Sequence, residues 1–281
     1  MTGFDALMHS FTTLSLGGFS SHDASFAHFN SPLLEAMAIV FMLVAGVNFS
    51  THFMAWRGRI LRPYLTDPEA GFFVALVLAS AAVIAAVLVL HQTYPSFLAA
   101  LRFSVFNVVS IATTTGYASA DYGVWPIFAP TLMLFLCLFA SSAGSTGGGI
   151  KMIRARLAVQ QLWRELVRLA HPHAIVPIKL GRSVVSPVVM TSVMTFVAVY
   201  SGVIVLLTLV LAASGLSLQT AASAIVACIS NTGPGLNELG PSTNYAVLTD
   251  FQTWVCAAAM LIGRLEIFGV LVVFTRAYWR R

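Results

Sequence analysis

Thr113-Thr114-Thr115-Gly116-Tyr117 is one of three stretches that align on a glycine; the others are Ser15-Leu16-Gly17-Gly18-Phe19 and Ser230-Asn231-Thr232-Gly233-Pro234. Counted from Gly18, Gly116 and Gly233, a hydroxyl residue stands three positions earlier (Ser15, Thr113, Ser230). An acid stands five positions later (Asp23, Asp121, Glu238). Glycine reaches left-handed backbone angles without steric penalty, so a short loop around it can turn its carbonyls toward one axis. Rings of such carbonyls replace the water around a cation. The threefold recurrence points to a pore.

Each glycine loop follows a short amphipathic segment: Phe4 to Leu14, Phe97 to Ala112 and Leu218 to Ile229. None of these is long enough to cross ~30 Å of hydrocarbon, which takes about 20 helical residues. Longer apolar runs lie between them: Leu33 to Trp56, Phe72 to Leu90, Pro126 to Ala140, Val184 to Ala213 and about Val247 to Ala277. The order is spanning helix, short re-entrant helix, loop, spanning helix. Non-helical backbone at membrane depth survives only where protein or a water-filled cavity satisfies it. A second glycine recurs within each following span: Gly46 and Gly144 lie 28 residues after Gly18 and Gly116, and Gly263 lies 30 after Gly233.

Composition agrees with a membrane protein. The 281 residues are 58% hydrophobic and 9% charged, where a soluble domain carries about a quarter charged residues, and the mean hydropathy is +0.86. The net charge of +5 has its explanation in topology rather than in nucleic acid. Thirteen of the 15 Lys and Arg residues fall in three connections, around Arg57 to Arg62, Lys151 to Arg182 and Arg276 to Arg281. Such loops remain cytoplasmic. The glycine loops and their acids are then expected on the outer side. Arg102, on a short helix, is expected to snorkel to the interface. Cys137, Cys228 and Cys256 read as small buried hydrophobes. His171 and His173 read as interface residues, without further metal ligands near them. The basic run from Lys151 has apolar residues at helical spacing, suited to anionic lipid or to a partner.

The quoted stretches, together with Ala143-Gly144-Ser145-Thr146-Gly147-Gly148-Gly149-Ile150-Lys151 and Gly263-Arg264-Leu265-Glu266-Ile267-Phe268, resemble the Trk/Ktr superfamily of potassium uptake proteins. The resemblance is strongest to its TrkH-type pore-forming subunits, and it covers essentially the whole chain. It implies an all-α polytopic membrane protein with helix–pore-loop–helix repeats around a central ion pore. About two and a half of the four repeats are expected here. Residues 1–62 would hold the pore loop and second helix of repeat two, 63–182 repeat three, and 183–281 repeat four. Three quarters of a ring should not conduct selectively alone, so the chain reads as a fragment or as part of a two-chain pore.

The resemblance also implies site roles. The ion filter would comprise Ser15, Leu16, Gly17, Gly18, Thr113, Thr114, Thr115, Gly116, Ser230, Asn231, Thr232 and Gly233, binding K⁺ as transported ion, with no covalent cofactor. Asp23, Asp121 and Glu238 would line the outer vestibule. Ser141 to Gly149 would form an intramembrane gate through Gly144, Ser145, Thr146, Gly147, Gly148 and Gly149, with Lys151 and Arg264 beside it. Four glycines within Gly144 to Gly149 make a helix break reasonable at roughly 1 kcal/mol each. The competing explanation is close helix packing through Gly144 and Gly148. Arg264 is expected to face the pore, because residues two apart on a helix do not face each other and Glu266 would be a poor partner. The implied system is multi-pass in the bacterial cytoplasmic (inner) membrane. It would act as a homodimer surrounded by membrane lipid, with a cytoplasmic nucleotide-binding (RCK-type, TrkA-like) regulatory subunit and no nucleic acid. Alternatives are the ion-binding subunit of a Kdp-like P-type ATPase and a Ktr-type Na⁺-dependent K⁺ transporter. No paired carboxylates, nucleophile triad or metal cluster in the spans suggests an enzyme.

Overall fold

The structure is a computed structural model describing residues 1–181 and 183–280. Arg182 and Arg281, counted above among the cytoplasmic cations, lie outside the described residues. The elements repeat with the sequence. Helix α1 (Gly3–Leu14), α6 (Phe97–Ala112) and α10 (Leu218–Ile229) are the three short helices that precede the glycine loops. Each starts at a side-chain cap: Thr2, Ser96 and Ser217 accept the backbone N–H groups of Asp5, Ala99 and Thr220. Capping satisfies first-turn donors that have no partner within the helix.

Among the described residues, two helices are long and apolar enough to cross a membrane, α5 (Ala70–Leu90) and α9 (Pro187–Ala213). They precede α6 and α10 in the chain and pack on them respectively. Two of the apolar runs that follow the glycine loops differ from the continuous spans expected from hydropathy. Leu33 to Trp56 is two helices, α2 (Pro32–Ala45) and α3 (Phe49–Gly58), bent by 95°. The run from Val247 to Ala277 is likewise broken: α11 (Asp250–Arg264) meets the segment Phe268–Phe274 at 105°. As the run of small residues suggested, α7 (Phe128–Phe139) stops at Ala140, and α8 (Met152–Ala170) starts only after a non-helical segment. All three second helices therefore break, at Gly46, around Gly144 and beside Gly263. At each break a glycine sits in a close contact that leaves no room for a side chain. A Cβ at Gly46 would meet the Phe73 ring at 2.8 Å, one at Gly148 the Ser230 carbonyl oxygen at 1.9 Å, and one at Gly263 the Ile229 carbonyl oxygen at 1.8 Å.

Neighbouring repeats interlock by one rule. The second helix of a repeat packs on the short helix of the next, α2 on α6 and α7 on α10. The largest core lies where repeats two and three meet and is filled by Phe73, Phe106, Tyr117, Tyr122 and Met133. The one sheet among the described residues is a hairpin of two-residue strands before α9, pairing Lys179 with Val184 and Leu180 with Ser183. Arg102 does not snorkel alone. It crosses from α6 to the buried Glu35 of α2, with Nη2 at 2.6 Å and Nε at 2.8 Å from the two carboxylate oxygens. A bidentate pair of this geometry is the strong form of an ion pair.

Candidate ion pore

The three glycine loops share a backbone as well as a sequence pattern. Each short helix ends one residue before the hydroxyl position, and Ser15, Thr113 and Ser230 are its C-caps. The next residue turns left-handed: Leu16 at φ 54°, Thr114 at 63° and Asn231 at 54°. The N–H that follows reaches back into the last turn, Gly17 to Thr12 O at 2.8 Å, Thr115 to Ser110 O at 2.8 Å and Thr232 to Ala227 O at 2.9 Å. This is a Schellman closure. A non-glycine residue in that conformation costs roughly 1–2 kcal/mol, so three equivalent instances mark a conformation the surroundings impose. The aligned glycines are left-handed again two residues later, at φ 68°, 90° and 103° for Gly18, Gly116 and Gly233. Left-handed residues separated by one right-handed or extended residue bring successive carbonyls to one side of the loop.

The loops touch in ring order. A Cβ at Gly18 would lie 1.9 Å from the carbonyl oxygen of Thr115, and one at Gly116 would lie 2.0 Å from that of Thr232. The middle loop, flanked on both sides, has Thr113, Thr114 and Thr115 fully buried. The C-terminal ends of the short helices abut the loops and carry partial negative charge, which favours a cation. Supporting bonds come from outside. Tyr117 Oη bonds Thr12 and lies 3.2 Å from Thr13 Oγ1, and Tyr245 Oη donates to Gly233 O at 2.8 Å. Tyr117 stands in the aligned stretch, directly after Gly116, whereas Tyr245 gave no sequence signal.

The segment between α7 and α8 lies directly under these helix ends. Thr146 Oγ1 donates to Leu14 O at 3.3 Å, and the Gly148 N–H donates to Thr114 Oγ1 at 2.8 Å. With Gly148 against Ser230 O, the segment touches the end of α1 and the two other glycine loops. Its carbonyls have cationic partners: Lys151 Nζ bonds Gly147 O, and Arg264 Nη1 bonds Thr146 O at 3.1 Å. Glu266 pairs with Arg154 of α8 at 2.7 Å and not with Arg264. Ser145 folds onto its own turn, its hydroxyl 2.6 Å from Ser142 O.

Asp23, Asp121 and Glu238 are all exposed. Asp121 has a local task too, accepting the Gly123 N–H at 2.8 Å. The buried acid of this face is Asp5, which receives the Ser21 hydroxyl at 2.6 Å. Sequence reading passed over it, although its place three residues after Thr2 is a capping-box signal.

A family model described as "TrkH: Cation transport protein" matches residues 1–281. The chain belongs to the TrkH family of cation transport proteins. It is 40% identical over 280 residues to a Trk system potassium uptake protein TrkH of Salmonella typhimurium, and 42% identical over 281 residues to that of Halomonas elongata. Each match takes in all of this chain and 58% of the relative, so the chain spans somewhat over half the length of these proteins. The crystal structure of the potassium transporter TrkH from Vibrio parahaemolyticus superimposes with a TM-score of 0.94 at 40% identity, covering 100% of this chain and 60% of that one. Family membership makes this a polytopic helical protein of the bacterial inner membrane, in a class defined by cation transport rather than by an enzymatic reaction.

Proposed function

We propose that this chain supplies most of the pore of a Trk-type potassium uptake system. Ser15 to Gly18, Thr113 to Gly116 and Ser230 to Gly233 form three sides of a carbonyl-lined filter for K⁺. The observation that carries the reading is the ring contact itself, Gly18 on the Thr115 carbonyl and Gly116 on the Thr232 carbonyl, in loops with one shared backbone. A fourth loop, from the length of the relatives beyond this chain, completes the ring. The ion passes without covalent chemistry and no cofactor takes part. Asp23, Asp121 and Glu238 concentrate cations at the entrance. Residues Ser141 to Gly149 are the gate: they occlude the path below the filter, and Lys151 and Arg264 hold them there while repelling cations. Support comes from the bonds of Thr146 and Gly148 to the filter helices and of Arg264 to Thr146.

The partners proposed are a second copy of the chain, membrane lipid and a cytoplasmic nucleotide-binding subunit of the RCK type. The Trk reading is preferred to a Kdp-like pump subunit or a Ktr-type transporter because the family match runs the whole chain. The test uses the full-length protein in liposomes. Deleting the gate segment and Arg264→Ala should each raise Rb⁺ flux with an unchanged K⁺/Na⁺ ratio. Their combination should give far less than the product of the two effects, since one obstacle is removed twice. Flux that falls in both single variants, at normal folding and membrane level, would sink the gate and favour packing through Gly144 and Gly148.

A further inference from the structure

Glu69 occupies the residue before the first turn of α5. It is 4% exposed, and its Oε2 accepts the backbone N–H of Ala143 at 2.9 Å. Ala143 is the upstream arm of the segment that underlies the filter loops. On either side of it, the Ser142 N–H donates to Gly46 O at 3.1 Å, and Gly144 O accepts the Phe49 N–H at 3.1 Å. The breaks of repeats two and three are thus joined, with Glu69 at the junction. Glu69 is itself fixed: its N–H donates to Asp67 Oδ1 at 2.8 Å, and Asp67 Oδ2 takes the Thr51 hydroxyl. Arg156 of α8 bonds the adjacent Pro68 carbonyl and lies 5.3 Å from the centroid of the Phe72 ring. Burial pushes the Glu69 carboxyl above its usual range, and the Ala143 N–H pulls it back down.

We propose that Glu69 is a positioning residue for the gate, an anionic latch that holds Ala143 and the upstream arm of the loop in place beneath the filter. The inference rests on the gating reading above. Each arm of the loop exposes the backbone group it cannot satisfy itself. The downstream arm presents the carbonyls of Thr146 and Gly147 to two cations, Arg264 and Lys151. The upstream arm presents an N–H to a buried carboxylate. The loop is thereby clamped at both ends by charges of opposite sign, each matched to the free backbone group. An acid at the edge of a membrane span is costly to bury, and a carboxylate that accepts a backbone N–H makes a charge-assisted bond stronger than a neutral one.

The test compares Glu69→Leu, which removes the acceptor, with Glu69→Gln, which keeps a carbonyl oxygen, in the full-length protein reconstituted in liposomes. Glu69→Leu should raise Rb⁺ flux several-fold, up to roughly tenfold, at an unchanged K⁺/Na⁺ ratio, while Glu69→Gln stays within about twofold of wild type. Rescue by the amide separates positioning from packing, which either replacement would disturb. A cytoplasmic-side, membrane-impermeant maleimide should modify Ser145→Cys faster in the Glu69→Leu background. Unchanged flux and labelling in Glu69→Leu, with Arg264→Ala still raising flux, would remove the latch and leave the gate standing. If Arg264→Ala and the loop deletion are silent too, the gating reading fails instead. Should Glu69→Leu not fold, Glu69→Ala carries the same comparison, and failure of both to fold would make Glu69 structural and overturn the proposal.

Discussion

Replacing Gly116 by alanine tests the filter with one methyl group. The new Cβ would sit 2.0 Å from the Thr232 carbonyl oxygen, where a relaxed carbon–oxygen contact needs about 3.3 Å. One of the two backbones must therefore retreat by roughly 1.3 Å, the difference between those distances. Alanine at φ 90° adds about 1–2 kcal/mol of local strain. Thr232 is buried and its N–H is held by Ala227 O at 2.9 Å, so its carbonyl cannot swing aside freely. A misplacement of about 1 Å at a reacting centre costs on the order of a hundredfold. The conservative expectation for ion selection is a loss of at least tenfold in K⁺ over Na⁺, about 1.4 kcal/mol. The assay is competitive Rb⁺ and Na⁺ uptake by the full-length protein in liposomes. Gly215→Ala is the control: Gly215 has φ 104° and no described atom within 4 Å of its would-be Cβ, so it carries strain without a filter contact. Wild-type selectivity in a folded Gly116→Ala protein, or an equal loss in Gly215→Ala, would refute the ring contact as the basis of selection.

Three further outcomes are expected. Arg102→Leu strands the buried Glu35 and should destabilise the protein by about 3–5 kcal/mol, with the double variant Glu35→Leu/Arg102→Leu far milder; thermal unfolding of the detergent-solubilised protein reads both. Neutralising Asp23, Asp121 and Glu238 together should slow uptake most at low ionic strength, because exposed charge reaches about 10 Å at 0.1 M salt; a salt-independent loss would indicate structural roles instead. Gly263→Ala, whose Cβ would fall 1.8 Å from Ile229 O, should shift the α10 terminus and impair uptake, whereas Gly269→Ala, with open space around it, should not.

What the sequence settled follows from local chemistry. Apolar length marks α5 and α9 as spans, and the recurrent glycine with its hydroxyl residue marks the turn after each short helix. Those helices end at Leu14, Ala112 and Ile229, where the amphipathic segments stop in the sequence. The basic run after Lys151 is the amphipathic α8, as its spacing implied.

The break after Ala140 was legible in the small residues that follow it; only the tertiary structure decided that the other two second helices break. Hydropathy sees one apolar run in Leu33 to Trp56, because each residue there is compatible with a span. The bend lies at Gly46, where a side chain would collide with Phe73, 27 residues further along the chain. The same limit hid Glu69 and Glu35, whose meaning lies in a distant N–H and a distant guanidinium. Leu16, Thr114 and Asn231 carry no shared side chain to announce their left-handed turn; helix closure and the neighbouring loops impose it. A sequence declares which residues can turn, cross or cap. Which backbone group lies within hydrogen-bond or van der Waals reach of another repeat is fixed only when the repeats close around a common axis.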